Sequence, residues 1–319
     1  MEPFVAELSR LYRMAASTPV EDFAPCALDQ LRSWIDFDGA VFGFGASGAD
    51  ALKIGSSAIY NRDAAIVSEY AAVSADDPTT RRFLQAPGLV ANIDTQKAYT
   101  GPQHADVASF ARRHDIRHLL LLGEAAPAAD RLRWIVLYRG TRDGFGPQEA
   151  ARLSAAWTHI LCALDLNRAR SLDLHAVPGT RRAAALAGPD GAIEAADPLF
   201  FEMLREEFRQ LPPAGLPAAL AAAMASATPY VGRTLEVRFV RKGPYTLCQA
   251  GPLGAAARLS PREAQVARAY AAGHDYKTIA ATLGISPNTV RAQLAAVYQK
   301  LEVKDKAALA NLLADQPRT

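Results

Sequence analysis

Ten residues near the C-terminal end are candidates for contacts with nucleic acid. They are Lys277, Ser286, Asn288, Thr289, Arg291, Ala292, Gln293, Ala295, Lys300 and Lys304. An arginine can donate two hydrogen bonds to guanine O6 and N7, and an alanine can contact a thymine methyl group. Lysine and hydroxyl groups suit phosphate oxygens. For each residue, an ordinary solvated surface position is the alternative.

The flanking residues predict four short helices that would carry these residues. Ser260-Pro261 with Glu263 forms a capping box, in which serine and glutamate each accept from a backbone N–H of the first turn. Asp275 can cap a second helix, and Gly284 can supply a tight turn. A fourth helix is predicted over residues 306–313. Two helices joined by a short glycine-containing turn are typical of a helix-turn-helix.

The third helix, predicted from Pro287 to about Leu301, would enter the major groove. Apolar Val290, Leu294 and Val297 recur at helical spacing and must face the core. That arrangement directs Arg291, Ala292 and Ala295 outward, toward base edges. Gln293 stays open between a base edge and the backbone. The six remaining residues of the group are predicted to contact phosphates: Lys277, Ser286, Asn288, Thr289, Lys300 and Lys304.

This stretch resembles the LuxR-type helix-turn-helix domain. The matching residues are Leu259, Pro261, Arg262, Glu263, Val266, Gly273, Lys277, Ile279, Ala280, Leu283, Ile285, Ser286, Thr289, Val290, Leu294, Tyr298, Lys300, Leu301 and Val303. Ala292-Gln293 stands where the family often has Asn-His, Ala267 replaces a usual leucine, and Glu302 a usual glycine. The resemblance implies a double-stranded DNA operator as partner. It also implies a homodimer, paired through the fourth helix, that reads half-sites roughly 34 Å apart.

The rest of the chain predicts two mixed α and β domains. A strand hairpin, several helices, two strong strands and a long helix describe an α/β (α+β) domain of α/β/α type over residues 1–173. A hairpin, a helix and a second hairpin describe a smaller α+β unit over 180–250, and the all-α four-helix domain follows at 257–319. The element order resembles GAF-like ligand sensors and then a PAS-like unit. Residues 174–179 and 251–254 are predicted linkers.

Aromatic residues of the N-terminal domain are candidates for an apolar ligand pocket with a few polar groups. With one acidic residue the predicted site comprises Trp34, Phe42, Phe44, Tyr60, Tyr70, Asp77, Phe83 and Trp134. The alternative is that most of the aromatics are ordinary core. Tyr70, followed by Asp77-Pro78, resembles the acyl-homoserine-lactone sensors, in which a tyrosine and an Asp-Pro pair help to hold the ligand's amide. The tryptophan pattern that those sensors carry nearby is absent here.

Other classes of function find little support in the sequence. Three widely spaced cysteines, Cys26, Cys162 and Cys248, indicate buried reduced thiols rather than a metal or redox site. His114 and His118 are expected to be structural or surface residues, and no cofactor is expected. No catalytic constellation or receiver-type phosphoacceptor pattern occurs, so we expect no enzyme activity. Without a signal peptide or an apolar run long enough to cross a bilayer, the protein is expected to be cytoplasmic and not membrane-bound.

The net positive charge of the C-terminal part agrees with DNA binding but is weak evidence for it. From residue 259 onward eight Lys/Arg oppose five Asp/Glu, against a net charge of +2 for the whole chain. The sequence therefore predicts a transcription regulator whose N-terminal domain responds to a small-molecule effector. In the main alternative, the N-terminal domains are ligand-free modules for protein interaction or dimerisation. A third possibility, an enzyme that regulates its own genes, lacks supporting residues.

Overall fold

Two antiparallel sheets followed by a helical C-terminal part make up the chain, which confirms the predicted mixed α/β class. The computed structural model describes residues 2–47, 52–125, 131–140, 143–175, 181–213, 215–253 and 259–314. Among these residues, no helix combines the length and the apolar composition needed to span a membrane. The expected linker at 174–179 lies mostly outside the described residues. The expected linker at 251–254 is wrong in its first half, because Gly251 and Pro252 complete a strand.

The first sheet, named here the N-terminal sheet, has the order β2-β1-β5-β4-β3, with every pair antiparallel. The predicted hairpin and the two strong strands are confirmed. The short edge strand Ala91–Asp94 was not predicted, because four residues show too little alternation to indicate a strand. The strands are β1 (Gly39–Ser47), β2 (Leu52–Tyr60), β3 (Ala91–Asp94), β4 (His118–Ala125) and β5 (Arg131–Arg139).

Helices cover both faces of the N-terminal sheet and form a three-layer arrangement. On one face lie α1 (Glu2–Ser17), α2 (Val20–Leu31) and α7 (Pro147–Asp173). The other face packs against α3 (Ala65–Val73), α4 (Pro78–Gln85) and α6 (Ala105–Arg113), with the short α5 (Thr95–Ala98) between the last two in sequence. Each face has its own apolar core, because strand side chains alternate between the two sides.

The second sheet repeats the strand order of the first, as β7-β6-β10-β9-β8. Phe200, Met203, Leu204 and Leu220 fill one of its faces. Its other face packs against Val20 and Leu172 of the helices that also cover the N-terminal sheet, so α2 and α7 lie between the sheets. Its elements are β6 (Ala183–Ala187), β7 (Ile193–Ala196), α8 (Pro198–Glu207), α9 (Ala218–Ala225), β8 (Tyr230–Val231), β9 (Leu235–Lys242) and β10 (Tyr245–Pro252).

A buried ionic cluster joins the two sheets. Glu194 on β7 pairs with Arg131 of β5 at 2.8 Å and with Arg168 of α7 at 3.2 Å. The side chains of Glu194 and Arg168 are 4% and 3% exposed. The Arg168 guanidinium also donates to the Tyr245 hydroxyl at 3.3 Å and lies 4.3 Å from the centre of the Phe44 ring. The two arginines therefore compensate the charge of one buried carboxylate, which ties β5 and α7 to the second sheet.

The C-terminal helices enclose a separate apolar core around Val266, Ile279, Val290 and Leu294. They are α10 (Pro261–Ala271), α11 (Tyr276–Leu283), α12 (Pro287–Leu301) and α13 (Lys306–Ala314), which confirms all four predicted helices.

The expectation of three buried cysteines is correct for Cys248, which is fully buried. It is wrong for Cys162, which is exposed, and Cys26 is only partly buried. Cys162 lies on the outward side of α7, since its neighbours Leu161 and Ala163 take the buried positions.

Candidate functional site

Local capping interactions fix the C-terminal helices. The Glu263 N–H donates to Ser260 Oγ at 3.3 Å, and the Ser260 N–H donates to Glu263 Oε2 at 2.8 Å, so the predicted capping box is present. Asp275 accepts from the Thr278 N–H at 2.7 Å and begins α11. Gly284 ends α11 with φ of +65°, a conformation that glycine adopts without steric cost. These caps set the angle at which α12 follows α11.

The recognition helix α12 has one buried face and one exposed face. Val290, Leu294 and Val297 are at most 3% exposed and pack into the core. Exposed side chains on and around the outward face include Asn288, Thr289, Arg291, Ala292 and Ala295, together with Lys277 at the start of α11 and Lys304 after α12. The structure thus brings together the predicted base-reading edge and most of the predicted phosphate contacts.

Two predicted phosphate contacts are already engaged within the protein. The Lys300 ammonium pairs with the Glu263 carboxylate at 2.7 Å, and this contact helps to hold the pKa of Glu263 below its usual value. Lys300 thus links α12 to the cap of α10, and its phosphate contact stays a prediction. Ser286 Oγ accepts from the Thr289 N–H at 3.1 Å as the cap of α12. Accepting this bond does not use the Ser286 hydroxyl proton, so its phosphate contact stays a prediction, and the helix N-terminus is suited to an anion.

A ladder of stacked side chains supports Arg291, the residue predicted to contact base edges. The Arg291 guanidinium carbon lies 5.6 Å from the centre of the Tyr276 ring. Tyr276 in turn stacks on Tyr270 with ring centres 5.6 Å apart, and Lys306 lies 4.7 Å from the Tyr270 ring centre. Cations over aromatic faces are held by electrostatic attraction. The ladder restricts the conformations of Arg291 before any DNA is bound.

Two departures from the family pattern have structural consequences. Gln293 is only partly exposed, and its Oε1 is buried without a hydrogen-bond partner among the described residues. Glu302 follows α12 with φ of +56°, where the family's usual glycine would be unstrained. The Gln293 side chain therefore faces the protein rather than outward. The positive φ of Glu302 indicates mild backbone strain at the end of α12.

The second candidate site is a cavity of about 60 Å³ between the N-terminal sheet and the helices α3, α4 and α6. Four of the eight predicted ligand residues line it: Tyr70, Asp77, Phe83 and Trp134. Most of the remaining wall is apolar and comes from Val41, Leu52, Ile54, Ile66, Val67, Phe110, Ala111, Ile116, Leu119, Leu121 and Val136.

A buried hydrogen-bond cluster forms one part of the cavity wall. Asp77, 3% exposed, caps α4 by accepting at Oδ1 from the Thr79 N–H at 2.8 Å and the Thr79 hydroxyl at 2.7 Å. Its Oδ2 accepts from the Tyr70 hydroxyl at 2.7 Å and from Thr80 at 3.3 Å. Tyr70 and Thr80 are also in direct contact through their hydroxyls. The Asp77-Pro78 pair, with proline at the first helical position, is therefore the start signal of α4 as well as part of the cavity.

The other four predicted ligand residues lie on the opposite face of the sheet, and their assignment to this pocket needs correction. Phe42 packs against Trp157 of α7, and Phe44 packs against Arg168. The Tyr60 hydroxyl donates to Asp29 at 2.8 Å. Trp34 packs against the same apolar core. The pleat explains the separation, because Val41 and Phe42 are adjacent in sequence but point to opposite sides of β1.

Four polar residues of the cavity were not predicted: Thr79, Thr80, Tyr99 and Tyr138. The alternation of β5 did place Tyr138 on the same face as Trp134, so a signal existed for that residue. Burial raises the pKa of Tyr70, Tyr99 and Tyr138, and the nearby Asp77 carboxylate raises each of them further. All three phenols are therefore protonated near neutral pH and able to donate hydrogen bonds.

The two histidines are separated by the end of α6, as predicted. His114 Nε2 lies 3.0 Å from the Glu69 carboxylate, and His118 begins β4. Among the described residues, no group of three or more His, Cys, Asp or Glu side chains could hold a metal ion.

A helix-turn-helix that presents an arginine beside a positive helix N-terminus has the architecture of a DNA-binding domain. Residues 257–313 match the family described as bacterial regulatory proteins, luxR family. This part of the chain is a luxR-family helix-turn-helix domain, and the protein is a DNA-binding regulator. No protein with a curated function matches the chain.

Three solved structures are among those that align with this chain. CepR2 from Burkholderia cenocepacia, titled an N-acylhomoserine lactone dependent LuxR family transcription factor, has 16% identity and a TM-score of 0.39, over 51% of this chain and 93% of its own. Escherichia coli SdiA has 14% identity and a TM-score of 0.35, over 98% and 96%. The LBD domain of VqsR from Pseudomonas aeruginosa has 9% identity and a TM-score of 0.39, over 52% and 97%. Because all three TM-scores are below 0.5, they carry no weight for function.

Proposed function

We propose that this protein is a cytoplasmic, homodimeric transcription regulator in which a small molecule bound in the N-terminal cavity controls operator binding by α12. The observation that carries the proposal is the joint presence, in one chain, of a helix-turn-helix with Arg291, Ala292 and Ala295 exposed on α12 and a mainly apolar interior cavity with a buried polar cluster. Pockets of that composition are the usual binding sites of small molecules.

The DNA-binding half of the proposal assigns separate roles to two exposed cations. Arg291 leaves the outward face of α12, where a bidentate contact to guanine is geometrically natural. Lys277 lies in the first turn of α11, near the positive end of the helix dipole, and suits a phosphate. Base contacts specify sequence, whereas phosphate contacts provide affinity that depends on salt.

Alanine substitutions test these roles on an operator selected from random DNA. Arg291→Ala should weaken operator binding by about 1–3 kcal/mol and relax the preference at one base pair. Lys277→Ala should weaken binding to all sequences alike and reduce the salt slope by about one. Arg268→Ala removes the same charge from an exposed position on α10 and should change neither property. If both test variants bind like the parent, the assigned face does not contact DNA.

The ligand-binding half is supported by the position of the cavity and by a physical connection to the rest of the chain. β5 carries Trp134 and Tyr138 on the cavity side and Arg131 at its start. Arg131 pairs with Glu194, which pairs with Arg168 of α7. A ligand that displaces β5 would therefore act on the second sheet, which precedes the DNA-binding domain in the chain.

Binding of an effector stabilises the native state by mass action, so a thermal-shift screen of metabolite fractions tests this half. A fraction that raises the melting temperature should also change operator affinity. Stabilisation without any effect on DNA binding would contradict ligand control. The alternative is that the N-terminal domains are ligand-free interaction modules. It would be favoured if the interior beside the N-terminal sheet were as fully packed as that of the second sheet.

Dimerisation through α13 is the remaining part of the proposal. Leu312 on α13 is 38% exposed, which is consistent with an apolar contact to a second copy. A dimer should bind half-sites about 34 Å apart and lose affinity when five base pairs, half a helical turn, are inserted between them. Light scattering of the full chain, with and without DNA, measures the mass directly. A monomer on a single half-site would contradict the dimer.

A further inference from the structure

The ladder of stacked side chains takes one residue from each of the four C-terminal helices. Tyr270 lies one residue before the end of α10, Tyr276 begins α11, Arg291 lies on α12 and Lys306 begins α13. Each cation contacts a different ring, with Arg291 at Tyr276 and Lys306 at Tyr270. The exposed arginine of the recognition helix is therefore connected through two aromatic rings to the helices behind it.

The Tyr276 ring is a fixed surface for the arginine. Its plane lies 9° from that of the Tyr270 ring, with the ring centres 5.6 Å apart. Both rings are partly buried against the apolar core of the C-terminal helices. The backbone is fixed at the same point, because the Asp275 side chain caps α11 immediately before Tyr276. The ring can therefore restrict a long cationic side chain without changing its own position.

The Arg291 guanidinium keeps its hydrogen-bond donors available for DNA. Its contact with the Tyr276 ring depends on charge and does not require its N–H groups. Among the described residues, no oxygen accepts a hydrogen bond from this guanidinium, whereas the Lys300 ammonium is held by Glu263 at 2.7 Å. An arginine can contact an aromatic ring and still present its planar fork of donors to a guanine.

Readout by hydrogen bonds depends on this one arginine among the three residues predicted to face base edges. Ala292 and Ala295 have only methyl groups, and Gln293 faces the protein. A freely moving arginine can reach a phosphate or a second base, whereas a restricted one presents its donors to one base pair. A restricted side chain also loses less conformational entropy on binding.

We infer that Tyr276 is a positioning residue for base readout, whose ring holds Arg291 toward one base pair and thereby sets the sequence preference of α12. This role rests on the proposed function, because it specifies how the same DNA-binding face selects its operator. Tyr276 acts through Arg291 and is assigned no base contact of its own.

Removal of the ring tests this role on the full chain. The probes are the operator selected from random DNA and its three variants at the base pair where Arg291→Ala relaxes the preference, measured by fluorescence anisotropy. Tyr276→Leu keeps an apolar side chain but removes the ring. It should reduce discrimination among the four probes about two- to fivefold, the strength of a cation–aromatic contact at an exposed site. Tyr276→Phe keeps the ring and should retain the parent's discrimination.

The ratio of affinities for the four probes separates positioning from a merely structural role. If Tyr276→Leu weakens binding to all four probes alike, the ratio is unchanged and the inference is overturned. An equal loss of discrimination in Tyr276→Phe would also overturn it, because the hydroxyl and not the ring would be responsible. Tyr298→Leu, which truncates another partly buried tyrosine of the same core, should leave the ratio unchanged. The same loss in that variant would likewise contradict a specific role for Tyr276.

The Arg291→Ala background shows whether Tyr276 acts through the arginine. There, Tyr276→Leu should change the ratio no further, and a further loss of similar size would mean that Tyr276 reads DNA by itself. If Arg291→Ala relaxes no base preference, the proposed role of Arg291 fails and the role of Tyr276 fails with it. If Arg291→Ala relaxes the preference while Tyr276→Leu keeps the parent's ratio, only the role of Tyr276 fails.

Discussion

The N-terminal sheet and the second sheet share one strand order but differ in what covers the corresponding face. In the N-terminal sheet, large strand residues such as Trp134 and Tyr138 and the helices opposite them leave a cavity of about 60 Å³. In the second sheet, the small residues Ala183, Ala185 and Ala187 allow Phe200 and Met203 to fill the same layer. The same topology thus supports a hollow interior in one place and a packed interior in the other, and side-chain size decides which.

The difference also separates two roles for buried polar groups. In the hollow interior, Asp77 accepts from the N–H and the hydroxyl of Thr79 and from the Tyr70 hydroxyl, in a cluster that borders the cavity. In the second sheet, Glu207 accepts from the N–H groups of Arg233 and Thr234 and from the Thr234 hydroxyl, at 2.7–2.8 Å. A polar cluster beside empty space suits a binding site, whereas the Glu207 cluster suits a structural support.

Truncation of a large core residue should produce the largest contrast in stability. Phe200→Ala in the packed interior should cost about 3–5 kcal/mol, because a new void replaces dense contacts. Phe83→Ala should cost clearly less, because Phe83 already borders empty space. Urea unfolding of both variants measures the difference. Equal losses would mean that the two interiors are packed alike.

Removal of Glu194 tests whether the two interiors are mechanically joined. Glu194→Ala leaves Arg168 buried and uncompensated and should cost about 3–5 kcal/mol. Glu124→Ala, which breaks a more exposed pair with Arg133, should cost at most about 1 kcal/mol. We further expect the Glu194 variant to unfold in two steps by hydrogen exchange, with the sheets separated. If the variant unfolds in a single step with the parent's stability, Glu194 does not hold the two sheets together.

Enlarging an alanine on each sheet should give effects of opposite sign. Ala185→Leu overpacks the second sheet, where Ala185 is fully buried, and should destabilise by about 1–3 kcal/mol. Ala111→Leu adds carbon atoms to the cavity and should stabilise by up to about 1 kcal/mol. It should also prevent ligand binding. Thermal unfolding of both variants, with and without a metabolite fraction that stabilises the parent, provides the measurement.

The last contrast concerns the effect of acid on the stability that Glu207 provides. Burial opposes ionisation of Glu207, but the N–H groups of Arg233 and Thr234 and the Thr234 hydroxyl hold its pKa below the usual value. Its contribution is therefore complete above about pH 4.3, the ordinary pKa of glutamate, and is lost as the pH falls below that value. Glu207→Gln should cost about 1–3 kcal/mol at pH 7 and depend less on pH than the parent between pH 5 and 3. Glu206→Gln, which alters an exposed pair with Arg181, is the control.

Prediction from sequence succeeded where a structure is determined by neighbouring residues. Ser260, Glu263, Asp275 and Ser286 cap helices through residues two or three positions away, so the C-terminal helices could be derived from spacing alone. The engagement of Lys300 by Glu263 could not, because 37 residues separate the partners.

The cavity was harder to predict, because its members meet only through strand register and helix packing. Alternation placed Phe42 and Phe44 on one face of β1, and Trp134 and Tyr138 on one face of β5. It could not show that these are opposite faces of the sheet. Phe42 lies opposite Ile135, not Trp134, and this one-residue difference removed half of the expected aromatic pocket.

Operator affinity, measured by fluorescence anisotropy with and without a metabolite fraction that stabilises the protein, tests the central claim most directly. The account predicts that the fraction changes the affinity of the parent by at least about fivefold, a typical allosteric coupling. It predicts no change for Ala111→Leu, whose cavity is filled but whose DNA-binding helices are intact. An unchanged affinity in the parent, or an equal response in Ala111→Leu, would contradict control of the DNA-binding domain from the cavity.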